Sequence, residues 1–130
     1  MDNDPTIEIH DVTDNVEFFY RQADCLLFTS TNEVTPMVIS EAMSYGLPVL
    51  TTSIAGIPEM LVHGMEGFLF EPGDDITALD CMHQLYHSPD LKLQMGQAGL
   101  ARFKSTFDIE IMNKKYRYEY IYITFKVLHG

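Results

Sequence analysis

The chain of 130 residues has no tryptophan, only two cysteines and few positive charges. Eight lysines and arginines stand against 19 aspartates and glutamates, which gives a formal net charge of −11. Residues 1–90 hold a single cation, Arg21, and 16 acidic residues, whereas residues 91–130 hold seven cations and three acids. Because the long acidic part repels the phosphates of nucleic acids, we predict that the chain has no nucleic-acid partner.

Other missing features concern the cellular compartment. Cys25 and Cys81 lie in apolar segments and do not form a closely spaced pair of the kind that binds metals or exchanges disulfides. No charged stretch followed by an apolar core marks a signal peptide at the amino terminus. The apolar runs are far shorter than the roughly 18 residues of a membrane-spanning helix. We therefore expect a reduced, cytoplasmic chain without a transmembrane span, and peripheral contact with the inner membrane surface stays open.

Short apolar runs alternate with amphipathic stretches along most of the chain, whose length suits one domain. Thr35 is a suitable N-cap, Pro36 suits the first position of a helix, and Gly46 with Pro48 ends that helix. Helices that join successive strands imply an α/β fold with a doubly wound parallel sheet. Strands are predicted at 7–12, 25–29, 48–52 and 67–70, and helices at 15–23, 36–46, 57–62, 75–86 and 90–104.

Several groups of residues follow one another in a characteristic order after the predicted strand at 25–29. They include two glutamates separated by seven residues, Glu33 and Glu41, and the sequence Glu-Ala-Met that begins at Glu41. Gly-Leu-Pro-Val at 46–49 and Gly-Ile-Pro-Glu at 56–59 follow. Together these residues resemble the nucleotide-sugar-binding domain of retaining GT-B glycosyltransferases of the group 1, family 4 type, over about residues 7–72.

The resemblance implies a partial Rossmann-like domain of about four strands that lacks the first two strands of the complete domain. Residues 1–107 would form its core and residues 108–130 a carboxy-terminal helix or an edge strand. Alternation of apolar and polar residues at 116–125 favours an edge strand locally. We nevertheless expect a helix there, because the resemblance implies one.

The resemblance also implies the roles of several residues in transfer of a hexose from a nucleotide-diphosphate sugar, either a UDP-sugar or a GDP-sugar. Glu33 would be the catalytic-site residue that contacts the donor sugar, and Glu41 would hold the ribose. The start of the helix offers backbone N–H groups to the diphosphate. The donor-binding residues of this helix start are Thr35, Pro36, Met37 and Val38, and His10 is a candidate for the base pocket.

The resemblance implies that no metal and no cofactor are needed, and the position of the only Asp-x-Asp sequence, at residues 2–4, agrees with this. Cys81, His83 and His87 have a spacing that zinc sites use, but we interpret them as part of an amphipathic helix. The alternative for Glu33 and Glu41 is that they are merely solvated carboxylates.

The chain departs from the family pattern at several places. Val34 and Ala55 stand where the family commonly has glycine. The basic pair that grips the diphosphate and the amino-terminal acceptor domain are missing, so the chain alone is expected to be inactive. The alternative function is non-catalytic, as a nucleotide-sugar binder or an assembly partner. Missing strands would also leave strand 25–29 with an open edge, on which we expect strand 7–12 or a second copy in a homodimer to pair.

Overall fold

The computed structural model describes residues 16–29, 37–106 and 121–123. Within these ranges the chain forms a four-stranded sheet with helices packed on both of its faces. The elements are α1 (Val16–Gln22), β1 (Cys25–Phe28), α2 (Met37–Ser44), β2 (Val49–Thr52), a 3-10 turn (Ile57–Glu59), β3 (Gly67–Phe70), α3 (Asp75–His87), α4 (Pro89–Thr106) and β4 (Ile121–Ile123). None of the helices in this described part is long and apolar enough to cross a bilayer.

The strands lie in the order β3-β2-β1-β4. β1 pairs with β2 in parallel, with Leu26 opposite Val49, and β2 pairs with β3 in parallel, with Leu50 opposite Phe68. The predicted parallel α/β sheet is therefore confirmed for these three strands. We call the side on which they begin the amino edge and the side on which they end the carboxyl edge.

Alternate strand residues enter two separate cores because successive side chains of a strand point to opposite faces. Leu26, Phe28 and Val49 pack on one face with residues of α1 and α2. Cys25, Leu50, Phe68 and Phe70 pack on the other face with Cys81 and Leu85 of α3. Helix α4 contributes to both cores, through Met95 and Phe103. Both faces are thus covered, as the doubly wound architecture requires.

Local side-chain chemistry explains where the two long helices begin. The carboxylate of Asp74 accepts hydrogen bonds from the backbone N–H and the hydroxyl of Thr77, which caps α3 and lowers the pKa of Asp74. At the start of α4 the Ser88 hydroxyl accepts from the backbone N–H of Leu91, and Pro89 occupies the first helical position. The predicted starts of both helices are confirmed to within one residue.

The helix expected at residues 57–62 is shorter than predicted. The structure has a 3-10 turn at Ile57–Glu59 only. The backbone N–H of Val62 donates to the carboxylate of Glu66 at 2.8 Å, so it does not continue a helical ladder. A side chain seven residues beyond Glu59 thus ends the helix, and the local apolar pattern could not indicate this contact.

The carboxy-terminal strand corrects two predictions. Residues 121–123 form β4, which pairs antiparallel with β1, with Leu26 opposite Tyr122. The helix expected there from the resemblance is therefore wrong at these positions, and the edge strand favoured by the alternating pattern is correct. The edge of β1 at Cys25–Leu27 is filled by β4, where strand 7–12 or a second copy was expected to pair. Residues 7–12 lie outside the described residues.

Ala55 adopts a left-handed backbone conformation, with φ of 46°. The β-carbon makes this conformation unfavourable by about 1–2 kcal/mol for residues other than glycine. The turn between β2 and the 3-10 turn therefore suits the glycine that related sequences are expected to have at this position.

Helix α4 packs against the end of α2 through glycine. A β-carbon placed on Gly96 would lie 2.2 Å from the carbonyl oxygen of Gly46, which is too close for any real contact. One turn further, a β-carbon on Gly99 would meet the side chain of Met43 at 3.5 Å, an ordinary contact distance. The two glycines of one helix thus face neighbours with very different amounts of space.

We predict opposite effects of alanine at these two positions. Gly99→Ala should stabilise the protein by about 1 kcal/mol, because alanine is the better helix former and fits. Gly96→Ala should destabilise it by about 1–3 kcal/mol, because α4 must move away from Gly46. Urea unfolding followed by circular dichroism measures both changes. Equal stabilities of the two variants would contradict the close packing at Gly96.

The left-handed turn gives a second prediction. Ala55→Gly should raise the free energy of unfolding by up to about 1 kcal/mol, since relief of the backbone exceeds the entropy that glycine adds to the unfolded chain. Ala55→Val should lower it, because a branched side chain is less compatible with positive φ. Thermal unfolding of the three proteins should rank them glycine, alanine, valine, and a different order would rule out strain at this turn.

Candidate functional site

The candidate site lies at the carboxyl edge of the parallel strands, where α2 begins. Ligands of doubly wound sheets bind at this edge, and the first turn of a helix there presents unpaired backbone N–H groups. Met37 and Val38 form the start of α2. Four of the predicted site residues lie outside the described residues; they are His10, Glu33, Thr35 and Pro36.

Glu41 lies in the second turn of α2 and is only 6% exposed. The interpretation of Glu41 as a solvated surface carboxylate is therefore wrong. The hydroxyl of Tyr20, on α1, donates to Glu41 Oε2 at 2.9 Å and also lies 3.4 Å from the carbonyl oxygen of Val38. The structure thus brings together two of the predicted site residues, Val38 and Glu41, and adds Tyr20 to them.

The electrostatics of Glu41 follow from its burial. Removal from water raises the pKa of the Glu41 carboxyl, and the hydrogen bond from Tyr20 acts in the opposite direction. A carboxylate accepts several hydrogen bonds through its two oxygens, so the bond from Tyr20 leaves capacity for other donors. The hydroxyls of a sugar are suitable donors, because two neighbouring hydroxyls can reach one carboxylate.

Val38 has a different environment from Glu41. Its side chain is buried in the core beside α1, so any contact with a ligand would use its backbone.

Sequence reasoning did not identify Tyr20, which lies within the helix predicted at 15–23. The ring is 1% exposed, and it stacks on the ring of Tyr45 with centroids 5.0 Å apart and planes within 9° of parallel. A buried tyrosine hydroxyl needs a hydrogen-bond partner. This requirement was the available signal, but the partner is 21 residues away in sequence.

Three cations of the described residues are held in ion pairs. Lys92 pairs with Asp24, which comes just before β1, and Arg102 pairs with Glu66, which comes just before β3. Arg21 pairs with Glu17 on the exposed side of α1. Since Asp24 and Glu66 lie at the amino edge, Lys92 and Arg102 are held on the side opposite to the start of α2.

An open cleft of about 420 Å³ also lies at the amino edge. Its lining includes Tyr20, Arg21, Asp24, Tyr45 and Lys92, so the cleft reaches the tyrosine that donates to Glu41. The positive groups of this cleft are already paired with carboxylates, so it does not have the charge of a diphosphate site.

The described residues contain no cluster of three potential metal ligands. His83 and His87 stack on one face of α3, with ring centroids 6.0 Å apart. Cys81 is buried, and its burial raises the pKa of the thiol. Burial also raises the pKa of Cys25, to about 12, so both thiols are poor nucleophiles and poor metal ligands.

Known proteins are similar to this chain over most of its length. N-acetyl-alpha-D-glucosaminyl L-malate synthase from Bacillus anthracis is 33% identical over 103 residues, which cover 79% of this chain and 27% of that protein. Alpha-1,3/1,6-mannosyltransferase ALG2 from Homo sapiens is 37% identical over 95 residues, which cover 72% of this chain and 23% of that protein. The chain thus spans about a quarter of the length of these curated relatives.

A solved structure is similar over the same region. The crystal structure of HepE from Anabaena in complex with UDP-glucose matches with a TM-score of 0.72 and 25% identity, and the match covers 78% of this chain and 28% of HepE. The profile of the family described as Glycosyl transferases group 1 matches residues 6–102. Since this match covers most of the sequence, the chain belongs to the glycosyl transferases group 1 family.

Proposed function

We propose that the chain is the carboxy-terminal, donor-binding part of a retaining glycosyltransferase of family 4 type. The parent protein transfers a hexose from a nucleotide-diphosphate sugar to an acceptor bound by a separate amino-terminal domain. The observation that carries this proposal is the buried carboxylate of Glu41, held by a hydrogen bond on a helix that begins at the carboxyl edge. The similarity to HepE in complex with UDP-glucose supports a nucleotide sugar as the ligand.

In this proposal each residue acts on a different part of the donor. Glu41 accepts hydrogen bonds from the ribose hydroxyls through the oxygen that Tyr20 leaves available. Glu33 contacts the transferred sugar, and His10 lines the base pocket. Thr35, Pro36, Met37 and Val38 place the start of α2 against the diphosphate, where backbone N–H groups and the helix dipole stabilise negative charge.

The chemical step breaks the bond between the anomeric carbon and the diphosphate oxygen. The oxygen of the acceptor hydroxyl forms its bond to the same face of the sugar, so the configuration is retained. The leaving diphosphate takes the electron pair of the broken bond and accepts the proton of the acceptor hydroxyl. Electrostatic stabilisation of a leaving group requires donors that are already in place before the reaction. The first turn of α2 supplies such donors from its backbone.

A second candidate is a non-catalytic domain that binds nucleotide sugars or assembles with another protein. The positions of the cations favour it, because Lys92 and Arg102 are ion-paired at the amino edge and do not reach the proposed diphosphate position. In either case we expect a cytoplasmic protein.

Calorimetric titration of the chain with UDP-glucose and GDP-mannose tests the proposal. The wild type should bind at least one of them, and Glu41→Gln should bind about tenfold more weakly, because a hydrogen bond to a charged group contributes about 1.5–3 kcal/mol. Glu71→Gln is the matched control, since Glu71 is an exposed carboxylate directly after β3 at the same edge. Its affinity should equal that of the wild type.

The outcomes separate the candidates. Failure of the folded wild type to bind either donor overturns donor binding as the function of this chain. Equal affinities of the wild type and Glu41→Gln would show that Glu41 does not contact the donor. Binding without release of UDP from UDP-glucose, even with sugar acceptors added, favours the non-catalytic candidate for the chain by itself.

The buried carboxylate also predicts how stability depends on pH. Because burial raises the pKa of Glu41 in the folded state, ionisation costs stability as the pH rises above the ordinary glutamate value. Glu41→Gln cannot ionise, so it should be more stable than the wild type near pH 8, and its advantage should shrink towards pH 4 as Glu41 becomes protonated. Urea unfolding across this range checks the prediction. A constant difference at every pH would contradict it.

A further inference from the structure

We propose that Tyr20 is a positioning residue of the donor site, which fixes the carboxylate of Glu41 and directs its second oxygen towards the ribose. This inference rests on the proposed function, since ribose contact by Glu41 is itself a proposal. Tyr20 would act through Glu41 and would not touch the nucleotide sugar.

The geometry joins the two helices that flank β1. α1 ends just before β1 and α2 follows it, and the Tyr20 hydroxyl reaches from one helix to the other. Its oxygen lies 2.9 Å from Glu41 Oε2 and 3.4 Å from the Val38 carbonyl oxygen. The shorter distance and the negative charge of the carboxylate both favour donation of the single hydroxyl proton to Glu41.

The ring of Tyr20 is held firmly enough to act as a fixed support. It is 1% exposed, packs in the core with Ile39 and Met43 of α2, and stacks on Tyr45. A side chain packed in this way has little rotational freedom, so its hydroxyl has a defined position before any ligand arrives. The carboxylate that accepts from it is therefore oriented in advance.

Among the described residues, the hydrogen bond from Tyr20 is the main interaction that stabilises the ionised form of Glu41. Burial raises the pKa of Glu41 and the Tyr20 bond lowers it, with no cation contributing among the described residues. On α1, Arg21 and Glu17 pair with each other at the exposed surface. After α2, Tyr45 is the other ionisable neighbour, and its pKa is raised first by burial and further by the charges of Glu17 and Glu41.

The test compares Tyr20→Phe with Tyr45→Phe. Each variant keeps its ring and loses one hydroxyl, and the Tyr45 hydroxyl has no hydrogen bond to Glu41 in the structure. Carbon NMR of the ligand-free chain measures the titration of the Glu41 carboxyl. We expect Tyr20→Phe to raise the pKa of Glu41 above that of the wild type and Tyr45→Phe to leave it near the wild-type value.

The second measurement is the affinity for UDP or GDP, whichever belongs to the donor that the wild type binds. Tyr20→Phe should weaken binding about five- to tenfold, and the loss should be smaller at higher pH, because more of the Glu41 carboxyl, whose pKa is raised further in this variant, is ionised there. Tyr45→Phe should bind as the wild type does. If Tyr20 served packing alone, Tyr20→Phe would lower stability but would leave the pH dependence of nucleotide affinity as in the wild type.

A measurement on the wild type covers the case in which Tyr20→Phe does not fold. The chemical shift of the Tyr20 ring carbon that carries the hydroxyl should change as Glu41 titrates. The shift of the corresponding carbon of Tyr45 should change less. A chemical shift of Tyr20 that does not change as Glu41 titrates would overturn the inference. If the chemical shift of Tyr20 follows Glu41 but Tyr20→Phe binds the nucleoside diphosphate as tightly as the wild type, the inference alone is overturned. Failure of the folded wild type to bind both UDP and GDP would overturn the proposed function with it.

Discussion

The pairing of β1 on both of its edges is the constraint on which the rest of the described structure depends. A buried strand cannot leave its backbone N–H and C=O groups without partners. β2 satisfies one edge of Cys25–Phe28 in parallel and β4 satisfies the other antiparallel. With β1 fixed, α1 must arrive at the amino edge and α2 must leave from the carboxyl edge. Tyr20 and Glu41 meet because of this arrangement.

The two edges of the sheet differ in what their charges do. At the amino edge, Lys92 and Arg102 of α4 bind the carboxylates of Asp24 and Glu66, which ties the helix to the beginnings of β1 and β3. Two cations of the carboxy-terminal part are thereby used in holding the fold. Within the described ranges, the cations that form ion pairs with Asp24 and Glu66 lie at the amino edge, and the start of α2 offers backbone N–H groups at the carboxyl edge.

Local pattern predicted most of the fold, and distant contacts account for the differences. The strand at 67–70, the helix starts at Asp74 and Ser88, and the parallel order of three strands all follow from periodicity and capping residues. β4 was assigned wrongly because its partner, β1, is almost 100 residues away and family resemblance outweighed the local alternation. Of the candidate site, Glu41 was identified from sequence, whereas its bond from Tyr20 depends on the packing of two helices.

The burial of Glu41 argues for a function of the carboxylate beyond packing. A buried charge costs stability, and an apolar side chain of similar size would pack at this position without that cost. Its neighbours Ile39, Ala42 and Met43 are apolar and fully buried, and Ser40 is a small buried polar residue, so Glu41 is the one ionisable side chain of α2. Departures from good packing concentrate at sites where activity requires them. An ionisable group kept in the core with its own hydrogen-bond donor is such a departure, and a ribose diol would complete its hydrogen bonding.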